Sequence, residues 1–353
     1  MPPLWDIRAA ASALERPGAP AVYGDRMAVS LEDVQNQVPT LHISLSRVGV
    51  TNVEKVIRIN AGGTETLYSA KLDCFVDLGP RQKGAHMSRF EEVVNDAIGE
   101  VILGESAFRA ETLAQHIAEK VRDRQGARRA EVRMEARYPE HKPAPHSGIL
   151  TQEIYTLHGI ALASAAGTRR LSGVTAQGMT ACPCAQTLVQ ASSRERLLAD
   201  GFGEDEIERI FEAVPVATHN QRGLGTLYVG CPESCDTDID ARTLLAIVEN
   251  SMSSEIYELM KRSDEGAVVE KAHRRPRFVE DCVREMLRGA LEAFPQLAEE
   301  AFMHARQENL ETIHQHNVVA ERFGLLGEIR REEASGEPSP HHVSTREWLD
   351  GRA

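Results

Sequence analysis

Apolar residues recur along this chain with two different periods, and the change from one to the other marks its elements. In 40–50, TLHISLSRVGV, and 67–78, LYSAKLDCFVDL, partial alternation and a supply of Val, Ile, Leu, Tyr and Phe predict strands. The period then lengthens. Across 88–102, Phe90, Val93, Val94, Ile98 and Val101 fall on one helical face, and across 111–121 Leu113, Ile117 and Val121 repeat at four. Residues 130–138, AEVRMEARY, return to strand. The next ten, PEHKPAPHSG, break the pattern with three prolines and a glycine, which places a domain boundary there.

The second half repeats the order. Segments 152–165 and 225–231 are strand-like, 241–262 is a long helical stretch, and 277–294 is a clearer helix. Its stripe is Phe278, Val279, Cys282, Val283, Met286, Leu287 and Leu291. Residues 301–321, AFMHARQENLETIHQHNVVAE, are predicted to close the half as a strand, and 192–214 adds an extra helical piece. Strands, two helices and a strand, written twice, predict an α+β protein of two tandem modules. The expected organisation is an irregular lead-in over 1–32, modules over 33–145 and 146–330, and a charged, mobile tail over 331–353 in which His341 and His342 face solvent.

A length of 353 residues with 42% hydrophobic content suffices for two packed units. No stretch approaches the roughly 18 apolar residues of a membrane span, and the N-terminus carries acid and proline where a signal peptide is apolar, so a cytoplasmic protein is expected. With 53 acidic against 40 basic residues, the net charge of -13 argues against sequence-independent nucleic-acid binding. An anionic ligand must then meet locally placed Arg and Lys, because screening over about 8 Å makes distant charge nearly irrelevant. Six cysteines are few for this length, and disulfides are not expected. Cys74 and Cys282 lie in apolar settings and read as core residues.

The candidate chemistry begins at GMTACPCAQ, where Pro183 biases Cys182 toward extended backbone, so Cys182 and Cys184 are expected to project to one side. A second pair, Cys231 and Cys235, allows the bland alternative of a structural four-cysteine zinc site. Against it stand THNQRG, with His219, Asn220, Gln221 and Arg222, and ETIHQHN, whose His314 and His316 share a face if the segment is extended. Glu265 and Glu280 are the notable acids. Cysteine, histidine and carboxylate together match a catalytic divalent-metal site that keeps a position open for water. Lys83, His86, Ser88 and Arg89 gather at a predicted helix start, a place for phosphate or an ordinary Ser cap with solvated neighbours.

Seven motifs in order, DVQN, KGAHMSRF, GMTACPCAQ, THNQRG, RSDE, RPRFVED and ETIHQHN, resemble the metal-dependent GTP cyclohydrolases of type IB and their archaeal MptA relatives over about residues 30–325. The resemblance implies a tunnelling fold whose modules pair an antiparallel sheet with two helices, homotetrameric assembly, sites at subunit interfaces and GTP as substrate. It implies one divalent ion, Fe2+ in first place and Mn2+ or Zn2+ otherwise, held by Cys182, Glu265 and His314 with His219 as the variable fourth contact. It implies Cys184 as a second thiol in the site, His316 and His219 as proton carriers, and Glu280 as the guanine anchor. His86, Ser88, Arg89 and Arg222 are left for the phosphate end. ACPCAQ and the inserted helix before THNQRG look closer to the archaeal type, while Cys231 and Cys235 fall outside the pattern. The alternatives are a zinc protein that binds a purine without turnover and another pterin or deazapurine enzyme of this fold.

Overall fold

A computed structural model describes residues 34–61, 64–102, 109–232 and 239–352; the lead-in and Cys235 lie outside the described residues. Among the described residues, nine strands form one antiparallel sheet: β1 (Leu45–Ala61), β2 (Thr64–Leu78), β3 (Arg129–Pro143), β4 (Leu150–Ser164), β5 (Gly167–Ala181), β6 (Asn220–Cys231), β7 (Ser254–Glu255), β8 (Phe302–Leu310) and β9 (Val318–Leu325). They lie in the order β1-β2-β3-β4-β5-β6-β8-β9, with the short β7 paired to β5. Helices α1 (Met87–Ile102) and α2 (Ala110–Gln125) follow β2, and α3 (Pro183–Ala199) and α4 (Glu204–Ala213) follow β5. Then come α5 (Ala241–Ser251), α6 (Arg262–Arg274) and α7 (Val279–Ala293), and, after β9, α8 (Leu326–Ser335) and α9 (Thr345–Leu349).

The sheet is covered by α1, α2, α5 and α7. α1 packs on β1, α2 on β3 and β4, α5 on β5, and α7 on β8 and β9. The stripes predicted for α2 and α7 are the buried ones: Leu113, Ile117 and Val121 in one, Val279, Cys282, Val283, Met286 and Leu287 in the other. Phe278 and Leu291 are the exceptions, the first 43% exposed at the N-cap of α7 and the second only partly buried. Cys74 and Cys282 are core residues as expected, and burial pushes both thiols up to about 12, which keeps them neutral.

The unit strand-strand-helix-helix-strand-strand occurs twice, as β1-β2-α1-α2-β3-β4 and β5-β6-α5-α7-β8-β9. This is the doubled antiparallel unit expected of a tunnelling fold. The repeat turns over at the tight turn Ser164–Gly167, while the proline-rich 139–148 stretch is the end of β3 and its hairpin to β4.

Four expectations are corrected by packing. The 241–262 helix stops at Ser251, where serine hydroxyls compete for the backbone: Ser251 Oγ donates to Val248 O, and Ser253 Oγ accepts from Ala181 N–H at 3.0 Å. Segment 301–321 is two strands joined by a turn over 311–317, not one strand. The extra helical piece is two helices, parted at Gly201, whose φ of 91° suits glycine. The tail expected to be mobile is packed: Val343, Trp348 and Leu349 are buried in a second cluster with Leu162, Leu171 and Phe302. His341 and His342 are exposed there, each beside a glutamate.

Candidate active site

The central strands β5 and β6 run in register from Arg170↔Cys231 to Ala181↔Asn220. Just past that last pair, Cys182 N–H donates to His219 O at 3.1 Å, so the backbones of two distant motifs are joined at one end of the sheet. Cys182 is the N-cap of α3 in an extended conformation and Pro183 opens the helix, where its missing N–H costs nothing. Cys-Pro-Cys is therefore a strand-to-helix hinge. Cys182 is half-buried on the strand side and Cys184 is exposed in the first helical turn, so the two thiols do not share one face of an extended segment.

Side chains pin this hinge. Thr218 Oγ1 donates to Cys182 O at 2.9 Å, and Gln186 Nε2 donates to Val216 O and His273 O, each at 2.7 Å. Arg277 N–H donates to Ala181 O at 2.9 Å, while its guanidinium donates to Asn250 O and Ser251 O at the end of α5. The loop ahead of α7 is thereby fastened beside Cys182, and Glu280 follows three residues later, exposed in the first turn of α7.

His219 has a 15% exposed side chain. Its Nδ1 lies 3.0 Å from Gln221 Oε1 and 3.9 Å from Glu311 Oε2, a carboxylate that is itself 7% exposed. Thr312 Oγ1 donates to Asn220 O at 3.1 Å, which holds the start of the 311–317 turn against the same strand end. His314 and His316 follow in that turn. Both are exposed, with rings stacked at 5.1 Å, in a turn instead of on a strand face. Glu311 was missed by sequence reasoning. The signal was available in the alternation Gln307, Asn309, Glu311, a polar row whose first two members are buried.

Of the acidic pair in RSDE, Asp264 is the anchored member. It has no exposed surface and accepts from Lys261 N, His146 N, Ser147 N and Ser147 Oγ. Burial alone raises a carboxyl, but these hydrogen bonds, Ser147's foremost, outweigh it and hold Asp264 well below the usual carboxylate range. Asp264 thus ties the β3–β4 hairpin to the start of α6 and leaves its neighbour Glu265 exposed. Arg222 is exposed on β6, opposite in register to Met179 and Leu310.

The first-half cluster lies elsewhere. Gln125 clamps the backbone of His86 through Nε2 to O at 2.8 Å and N–H to Oε1 at 3.2 Å. Arg89 donates to Arg124 O near the end of α2 at 3.3 Å, Lys83 donates to Gln37 at 3.3 Å, and Ser88 is exposed. α1 covers the edge strand β1, four strands from β5, or about 20 Å at the usual strand spacing. One chain therefore does not bring His86, Ser88 and Arg89 to Cys182.

Among the described residues, no three His, Cys, Asp or Glu side chains stand together as a metal-ligand group. Cys182, His219 and the His314 turn share one end of the sheet, while Glu265 is exposed in the first turn of α6. The four-cysteine clip is overturned. Cys231 is buried at the far end of β6, eleven residues from Asn220, about 36 Å at roughly 3.3 Å per residue.

The doubled antiparallel unit, with the Cys182 and His219 backbones joined at the end of its central strands, is an α+β fold of the tunnelling type. The family follows from comparison: the sequence model described as "Type I GTP cyclohydrolase folE2" matches residues 31–320, and the chain belongs to that family. The GTP cyclohydrolase MptA of Methanosarcina mazei is 38% identical over 317 residues, covering 87% of this chain and 99% of the relative. That of Methanocaldococcus jannaschii is 39% identical over 306 residues, covering 85% and 97%. Among solved structures, uricase from Arthrobacter globiformis has a TM-score of 0.48 and 8% identity, covering 84% of this chain and 96% of its own. Among the described residues, no helix is long and apolar enough to cross a membrane.

Proposed function

We propose that this enzyme opens the imidazole ring of GTP at C8 with water, releases formate and forms a 7,8-dihydroneopterin phosphate. The observation that carries the reading is the Cys182 N–H to His219 O bond, which joins two family motifs at one site. Sulfur and imidazole donors at a half-buried strand end suit a divalent ion of borderline softness, with Fe2+ first and Mn2+ or Zn2+ otherwise. Cys182, His219, His314 and Glu265 would hold it. When bound, such an ion brings the pKa of a coordinated water toward neutrality and so supplies hydroxide at working pH.

The chain's own groups do the rest. Glu280 accepts paired hydrogen bonds from guanine N1–H and its exocyclic amine, which adenine does not offer, and such a site rejects the wrong base strongly. His316 and His219 carry protons to and from the opening ring, with Cys184 facing the substrate. Arg222, with His86, Ser88 and Arg89 from a second copy, meets the phosphates; the roughly 20 Å separation within one chain favours a site shared between subunits of a homo-oligomer, a tetramer in this reading. The product is the 2′,3′-cyclic phosphate, with pyrophosphate lost, or the triphosphate.

Incubating purified chain with GTP and each of Fe2+, Mn2+ and Zn2+ should release formate and give a pterin that fluoresces after oxidation. Absence of formate with all three ions rejects the proposal. The product mass separates cyclic phosphate from triphosphate.

A further inference from the structure

Two acceptors converge on one nitrogen of His219. Gln221 Oε1 is 3.0 Å from Nδ1, and Glu311 Oε2 is 3.9 Å from the same atom. An ionised carboxylate accepts only. A lone pair on Nδ1 would face oxygen lone pairs and a negative charge, whereas a proton there hydrogen-bonds Gln221 Oε1 and is favoured by the nearby Glu311 carboxylate. The Gln221 side chain is 5% exposed, and its Nε2 donates at 3.1 Å to Thr180 Oγ1, on a residue with no exposed surface. That leaves the amide oxygen for the imidazole. The neighbouring glycine makes room for this polar row, since a Cβ at Gly223 would lie 2.3 Å from Gln307 Nε2 and 3.1 Å from Asn309 Oδ1.

We infer that Gln221, held by Thr180 and backed by Glu311, is a positioning residue that keeps the His219 proton on Nδ1 and leaves Nε2 as the face turned to a divalent cation. The identity of what meets Nε2 rests on the metal-dependent reading above; the tautomer does not. Partners on the distal nitrogen are the usual means by which a ligating imidazole is fixed in tautomer and orientation.

The test uses full-length, metal-free protein labelled with 15N-histidine, with His219 assigned by the signals lost in His219→Ala. The expected spectrum shows Nδ1 in the protonated range and Nε2 in the unprotonated range. Gln221→Met should mix the tautomers and weaken Zn2+ binding, measured by chelator competition, by about 10- to 100-fold. Gln221→Glu, which keeps an acceptor oxygen, should restore both. A wild-type spectrum with the proton on Nε2 overturns the inference, as does a folded Gln221→Met unchanged in tautomer and affinity. If circular dichroism shows that Gln221→Met does not fold, the wild-type spectrum decides. Failure of formate release beside the expected tautomer would reject the cyclohydrolase reading alone, and formate release beside the opposite tautomer would reject this inference alone.

Discussion

The strand pair β5–β6 ends in two unlike ways. At Ala181–Asn220 it opens into polar groups: a half-buried thiol, an imidazole, a buried amide and a carboxylate, held by backbone bonds between segments far apart in the chain. At Arg170–Cys231 it is shut by the C-terminal segment, which lies beyond the 31–320 stretch matched by the family. There Trp348 stacks on Phe302 at 5.4 Å and lies so close over Gly230 that a Cβ would meet its ring at 2.7 Å. Arg169 donates to Trp348 O, and the ion pairs Arg129–Asp350 and Arg346–Glu131 fasten α9 to β3. The same two strands thus carry the proposed site at one end and an apolar closure at the other.

That contrast can be broken at either end. The largest effect is expected for Cys182→Ala, which should lower formate release by at least about 100-fold, the upper range for disturbing even an outer-shell partner of a metal site, with the melting temperature nearly unchanged. A parallel loss of folding would show the polar end to be structural. Trp348→Ala should do the reverse. It should cost about 3–5 kcal/mol in denaturant unfolding, as for other large buried aromatics, while turnover per folded molecule is retained.

The middle of the sheet offers a titration. His158 on β4 is buried with its Nε2 2.8 Å from Thr175 Oγ1, and burial pushes it down to about 4. An unfolded histidine takes up its proton near 6.5, so the unfolded chain gains a proton first as pH falls. Stability from this group is therefore complete above about 6.5 and lost between about 6.5 and 4, on the order of 3 kcal/mol. Comparing wild type with His158→Gln by denaturation at pH 7 and pH 5 should show a shallower decline in the variant. The smallest effect belongs to Arg331→Ala: its pair with Glu299 is about two-thirds exposed on both sides, and its loss should change stability by less than about 1 kcal/mol.

Long amphipathic helices were legible because one face of each meets the sheet. The β5 strand was not. GTRRLSGVTAQGMTA carries little apolar periodicity and three glycines, yet Gly173 and Gly178 are where the Tyr228 ring and Met252 approach to 2.3 Å and 2.6 Å of a notional Cβ. The RSDE acid pair was legible as a pair only. Which carboxylate is anchored depended on the hairpin at His146–Ser147, more than a hundred residues away. His314 and His316 were found as a motif, but their placement in a turn followed from Thr312 and Asn317 bonding to Asn220 and Glu308.

The sequence by itself determined the types of the amphipathic elements, the duplicated order and the identities and spacing of the reactive side chains, since these depend on period and chemistry along a continuous stretch. Only the tertiary structure decided that Cys182 meets His219, that Glu311 joins them, that Cys231 stands about 36 Å away and that the tail is a closure. Those outcomes rest on strand register and on burial shared between residues distant in sequence, and no local pattern contains either.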